Sequence, residues 1–234
     1  MVRGPLKGAQ FVVTPGMGAT YAWGWDAMNQ KFLARHLRPG SVIYDIGANR
    51  GQMALYFSRL TGPTGKVVSF EPVPQNFELL ERNLQLNAAS NVQAVRLALA
   101  ADDQPRRFGY DAAHHTMGTF VGNAAKLQQW QQTFEVTCDT LDHFASLGFP
   151  VPDVLKIDVE GAGGEVLCGA ENLLRTRRPA IYFEMHAAGT SSPEWDALQR
   201  LEKDFGYTVQ DINHTFHQPR GTEWNAAAWC EPPR

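Results

Sequence analysis

Between an apolar run and an amphipathic stretch the chain reads Asp45-Ile46-Gly47-Ala48-Asn49-Arg50-Gly51. Gly47 permits a sharp turn that brings bare backbone close to a ligand. Asn49 tolerates left-handed backbone better than most residues, and Gly51 allows close packing where a helix begins. Free N–H groups at such a helix start suit a carboxylate or phosphate. An acid follows in Ser69-Phe70-Glu71-Pro72, where the Glu71 carboxylate can accept both hydroxyl hydrogens of an adenosine ribose. Dinucleotide-binding enzymes place an acid similarly, about 20 residues after their glycine fingerprint, so Glu71 alone does not separate NAD from S-adenosylmethionine. The lack of the full GxGxxG pattern, and Asp45 ahead of the first glycine, favour S-adenosylmethionine. Asp45 could orient the loop or meet the cofactor's ammonium through water. The plain alternative is a glycine-bearing turn beside a solvated glutamate.

Other groups fit proton chemistry. Asp158 ends an apolar run and is expected to share a crevice with the Gly47 loop, as a general base or an orienting hydrogen-bond acceptor. Glu160 follows it, with turn closure or helix capping as an equal alternative. Glu184 and His186 are two residues apart, on one face of an extended segment, and an imidazole has a pKa suited to taking a hydroxyl proton. Oxygen ligands of this kind also suit magnesium, although a metal is not the favoured reading. His114-His115 and His214/His217 read as solvated loop pairs. Tyr21, Trp23 and Trp25 could cover an acceptor pocket or anchor the N-terminal segment.

Alternating strands and helices must position these groups. Apolar runs at Val42–Tyr44, Lys66–Phe70, Asn91–Leu97, Val154–Ile157 and Ala180–Phe183 read as strands. Periodic stretches at Met28–Leu37, Gln52–Leu60, Phe77–Leu84, Glu165–Leu174 and Glu194–Phe205 read as helices. This alternation argues for a doubly wound α/β fold with a mostly parallel sheet. Arg106–Tyr110 and Phe134–Thr137 interrupt it as short extra strands around the excursion His114–Asn123. Tyr207–Asn213 and Ala226–Cys230 have no helix between them and read as a terminal antiparallel pair. Residues 1–40 are expected to form an N-terminal cap on the substrate side, and 41–234 the cofactor-binding domain.

Composition bounds the rest. The 234 residues hold 44% hydrophobic and 19% charged side chains, ordinary for one well-cored domain. A net charge of −3 gives no basic excess for nucleic acid. Cys138, Cys168 and Cys230 are scattered without metal or disulfide spacing. No apolar run reaches membrane-spanning length. The expectation is a cytoplasmic protein with a small-molecule partner, and with neither nucleic acid nor membrane.

Several of these segments together resemble the FkbM family of S-adenosylmethionine-dependent methyltransferases. They are Asp45–Gly51, Phe70-Glu71-Pro72 with Asn76–Leu80, Thr140-Leu141-Asp142, Leu155–Gly161, Val166–Ala170 and Glu184. The resemblance spans about residues 41–187. It implies a seven-stranded, Rossmann-like methyltransferase fold and methyl transfer to oxygen, commonly on a sugar or secondary-metabolite hydroxyl. It puts Asp45, Gly47, Ala48, Asn49, Gly51, Glu71 and Pro72 at the cofactor, and Asp158, His186 and Glu184 at the chemistry. One departure is Gly161-Ala162-Gly163-Gly164, where the family often has an acidic pair after Gly-Ala. The alternatives are an NAD-dependent oxidoreductase, which the absence of Tyr-x-x-x-Lys disfavours, and a cofactor-binding partner subunit that does not catalyse.

Overall fold

The computed structural model describes residues 4–13, 27–110, 118–120, 132–186, 193–212 and 226–233. The chain divides into two compact units, Met1–Arg96 and Leu97–Arg234. In the first, α1 (Ala27–His36) precedes β1 (Val42–Ile46), α2 (Gln52–Thr61), β2 (Lys66–Phe70), α3 (Pro74–Leu86) and β3 (Val92–Val95). Strand β2 pairs in parallel with β1, from Val42↔Lys66 to Ile46↔Phe70, and with β3, from Val67↔Val92 to Phe70↔Val95. The apolar runs of β1 and β2 are buried almost throughout, as strands covered on both faces must be. Helix α3 begins a turn before the periodic stretch at Phe77, because Pro74 suits a first helical position where no N–H is needed. Residues 4–13 are strapped to α3. The Gln10 and Val12 amides donate to the side-chain oxygens of Asn87 and Asn83 at 2.9 and 2.8 Å, and Leu6 and Ala9 are buried.

The second unit runs through β4 (Ala98–Leu99), β5 (Arg106–Tyr110), β6 (Gly118–Phe120), β7 (Gln132–Val136), β8 (Cys138–Asp139), α4 (Leu141–Ser146) and β9 (Val154–Ile157). It continues with α5 (Gly163–Cys168), α6 (Glu171–Thr176), β10 (Ala180–Met185), α7 (Pro193–Phe205), β11 (Thr208–Asp211) and β12 (Ala226–Glu231). Strands β9 and β10 pair in parallel, whereas β12 lies antiparallel to both β10 and β11. These four strands, with the three of the first unit, make the seven-stranded, mostly parallel sheet expected of the fold class. The terminal antiparallel pair is present as expected.

Three expectations change. The strand foreseen at Asn91–Leu97 stops at Val95, and the chain next pairs in a separate two-stranded sheet, β4 with β8. The excursion carries a three-stranded antiparallel sheet, β6-β5-β7. Its Phe108 and Phe134 rings, 5.9 Å apart, pack on a small core of Ala98, Ala100, Val136 and Cys138. The helix foreseen at Glu165–Leu174 is two short helices. They break at Gly169, where an added Cβ would stand 2.1 Å from the Ala100 carbonyl oxygen. Among the described residues no helix is long and apolar enough to cross a membrane.

Candidate active site

The loop after β1 takes left-handed backbone at three positions, with φ of 80° at Gly47, 49° at Asn49 and 86° at Gly51. Asn49 thus adopts the conformation its side chain tolerates best among non-glycine residues. A Cβ at Gly51 would lie 2.5 Å from Leu80 Cδ1, so α2 can start only with bare backbone against α3. Four of the loop's amides bond within the fold. Gly47 and Ala48 donate to the Phe70 carbonyl, Gly51 donates to the Ala48 carbonyl, and Asn49 donates to Glu71 Oε2 at 2.9 Å.

Glu71 is 4% exposed and its Oε1 accepts the Val73 amide at 2.9 Å. One buried carboxylate therefore ties the glycine loop to the chain that leaves β2 past Pro72. An ionised carboxylate is acceptor-only, with two oxygens, and an acceptor of that kind suits the two hydroxyls of a ribose diol. Asp45 is fully buried on β1 and Ala48 nearly so.

The acidic and imidazole groups lie in the second unit, where β9 and β10 set them by register. Lys156 is paired with Tyr182, so Lys156 and Asp158 follow one face while Tyr182, Glu184 and His186 follow the same face of the neighbouring strand. Pairing of Glu184 with Ala227 and Met185 with Ala226 extends β10 two residues past the expected end, which takes Glu184 into the strand. Asp158 is the hub. Its Oδ2 lies 3.3 Å from Lys156 Nζ and its Oδ1 3.1 Å from His186 Nε2. Glu160 Oε1 is 3.8 Å from the same imidazole nitrogen, and the Tyr182 hydroxyl donates to Glu184 Oε1 at 2.8 Å.

This geometry settles the charges. Burial alone would lower the pKa of His186, but the close carboxylates of Asp158, Glu194 and Glu160 outweigh it and push it up to about 11. Burial would raise that of Asp158, yet the Lys156 and His186 charges hold it well below the usual carboxylate range. Burial, opposed by His186 and helped by Asp158 and Glu194, raises that of Glu160. Asp158, Glu184 and His186 also bring one ligand atom each within 4.8 Å of one another, a spacing that could hold a metal ion. A cation there would have to displace the lysine and the ring N–H that already balance Asp158, so the donor set as arranged fits a closed ion network better than a metal.

Two participants were not singled out from sequence. Lys156 sits in the otherwise apolar Val154–Ile157 and is 1% exposed; a lysine inside a buried strand was the available signal. Glu194, on α7 and also 1% exposed, reads in sequence as an ordinary first-turn acid. Tyr21, Trp23, Trp25, His114, His115, His214 and His217 lie outside the described residues.

Residues 45–209 match the Methyltransferase FkbM domain. The chain belongs to the FkbM methyltransferase family. It is 31% identical over 198 residues to the 31-O-demethyl-FK506 methyltransferase FkbM of Streptomyces tacrolimicus, covering 74% of this chain and 75% of that protein. It is 32% identical over 149 residues to Methyltransferase 1 of Beauveria bassiana, covering 56% of this chain and 59% of that protein. A crystal structure of methyltransferase FkbM from Methylobacillus flagellatus aligns with a TM-score of 0.56 at 14% identity, over 86% of this chain and 50% of that one. The chain thus spans 59% of the Beauveria protein's length and half of the Methylobacillus chain. Aeropyrum pernix fibrillarin, solved with natively bound S-adenosyl-L-methionine, shares the fold with a TM-score of 0.52 at 16% identity, over 88% of this chain and 76% of that one.

Two FkbM-like motifs acquire physical reasons here. In Thr140-Leu141-Asp142, Thr140 accepts the His143 amide to cap α4. Asp142 accepts the Asn172 and Leu173 amides, each at 2.8 Å, to cap α6. The departure at Gly163 is matched by its neighbour, because a Cβ there would meet the Phe183 ring at 2.5 Å.

Proposed function

We propose that this FkbM-family chain transfers a methyl group from S-adenosylmethionine to a hydroxyl oxygen on a sugar or secondary metabolite, as a cytoplasmic enzyme without nucleic-acid or membrane partners. The observation that carries the chemistry is Asp158. Its side chain is 32% exposed, while those of its charge partners Lys156 and His186 are 2% and 9% exposed. An ionised carboxylate is thereby fixed from behind and open in front, ready to accept a hydrogen bond from an acceptor O–H.

When bound, S-adenosylmethionine supplies the activated methyl group. Glu71 would hold its ribose hydroxyls, with Asp45, Gly47, Ala48, Asn49, Gly51 and Pro72 shaping the wall it rests on. Asp158 would accept a hydrogen bond from the hydroxyl and hold its oxygen in place, the role that suits a carboxylate kept ionised and well below the usual range by its charge partners. His186, already carrying a proton at neutral pH, acts as the charge that steadies Asp158; to act as a base itself it would first have to release that proton. Glu184, held by Tyr182, lines the same face. The name of the Streptomyces relative, a 31-O-demethyl substrate methyltransferase, supports oxygen as the atom methylated. An NAD-dependent reaction has no comparable support.

Asp158→Asn keeps the shape and removes the charged hydrogen-bond acceptor. Loss of this charge-assisted contact, worth about 1.5–3 kcal/mol, should lower kcat by about ten- to hundredfold, with the dissociation constant for S-adenosylhomocysteine unchanged. A panel of polyhydroxylated acceptors and methyl-labelled cofactor provides the assay. Unchanged turnover in the variant would remove Asp158 from the chemistry.

A further inference from the structure

Glu194 is a carboxylate that the proposed reaction does not use, yet the fold buries it. It is the second residue of α7, and its side chain is 1% exposed. Its Oε2 accepts the backbone N–H of His186 at 2.9 Å, immediately beyond the end of β10. Its Oε1 stands 3.9 Å from His186 Nδ1, at ion-pair range. The imidazole is thus approached from both sides, by Glu194 at Nδ1 and by Asp158 and Glu160 at Nε2. Removing a carboxylate from water costs several kcal/mol unless charge and hydrogen bonds compensate. The start of a helix offsets a part of that, and the His186 amide and ring lie where the remainder is needed.

We propose that Glu194 is a positioning residue: it anchors His186 by backbone and ring together, so that Nε2 is held against Asp158 in the geometry the acceptor hydroxyl meets. The inference rests on the function proposed above only for what the geometry serves; the anchoring itself can be read without any acceptor. A purely structural Glu194 would tie α7 to the end of β10 through the backbone bond alone. Glu194→Gln separates the two, because an amide oxygen still accepts the His186 N–H while the charge facing Nδ1 is gone.

The test is a side-chain ¹⁵N NMR spectrum of the histidines, with His186→Gln assigning the His186 signals among the seven histidines. At about pH 8, where an ordinary histidine is neutral, both ring nitrogens of His186 should be protonated in the wild type. Followed as a function of pH, the His186 ring should lose its proton at a lower pH in Glu194→Gln than in the wild type, and Glu194→Asp, which keeps the charge, should restore the wild-type titration. With an acceptor in hand, Glu194→Gln should also lower kcat by about ten- to hundredfold, the range typical of outer-sphere partners of functional groups, with KM little changed. A wild-type His186 with a bare nitrogen at this pH overturns the proposal without any variant. So does a Glu194→Gln titration and turnover equal to wild type. Failure to methylate any hydroxyl acceptor would end the proposed function and leave the spectral result standing.

Discussion

At Glu71 a single carboxylate accepts the amides of Asn49 and Val73 and is the group expected to meet the cofactor's ribose. Replacing it by alanine removes a charge-assisted contact worth roughly 1.5–3 kcal/mol. Affinity for S-adenosylhomocysteine should fall by about ten- to hundredfold. Calorimetric titration of the folded variant checks this, and an unchanged dissociation constant would reduce Glu71 to a structural tie for the loop. The residue's importance was legible from its position after β2, and Asn49's backbone from its residue type. Its second partner, the Val73 amide, was not, since a hydrogen bond to the residue two ahead depends on how the chain turns at Pro72. The charge of His186 was likewise illegible. Its isolated chemistry says a base near neutrality, and only the convergence of Asp158 and Glu160 from one segment and Glu194 from another makes it a cation.

Short helices need caps more than long ones, because a larger share of their amides lacks an intrahelical partner. Helix α6 has six residues, and both carboxylate oxygens of Asp142 serve its first turn from 30 residues away. Asp142→Ala should therefore lower unfolding stability by about 0.5–2 kcal/mol, measured by denaturant titration, with cofactor affinity kept. A loss within error of zero would mean water replaces the cap. Most elements were readable from apolar runs and periodicity, including β1, β2, β9, α2 and the antiparallel pair β11 and β12. The break between α5 and α6 was not. The apolar spacing through Leu167, Ala170 and Leu174 continues across it, and the reason for the break, the Ala100 carbonyl against Gly169, is a long-range approach that periodicity does not record.

For the molecule as a whole, the buried charge network makes stability depend on pH in two directions. The His186 pKa rises on folding from about 6.5 to about 11. The folded state therefore binds a proton that the unfolded chain releases, and this contribution is fully present below about pH 6.5 and fades as pH rises towards 11. Asp158 moves the opposite way, so its contribution is present above the ordinary carboxylate range and is lost on acidification below about pH 4. Thermal melting should show a midpoint falling from neutral to alkaline pH, and His186→Gln should flatten that alkaline slope. An identical slope in both proteins would contradict the charge assigned to the ring. Fold class and family were legible across residues 41–187 because cofactor loop, ribose acid and strand-end motifs occur in order, and the family match covers 45–209. The acceptor was not, since a hydroxyl is recognised by pocket shape rather than by a motif. The most direct test of the central claim is a calorimetric titration of the purified chain with S-adenosylhomocysteine, run against NAD under the same conditions. We predict saturable binding of S-adenosylhomocysteine at one site and no comparable heat from NAD; preferential binding of NAD would contradict the claim.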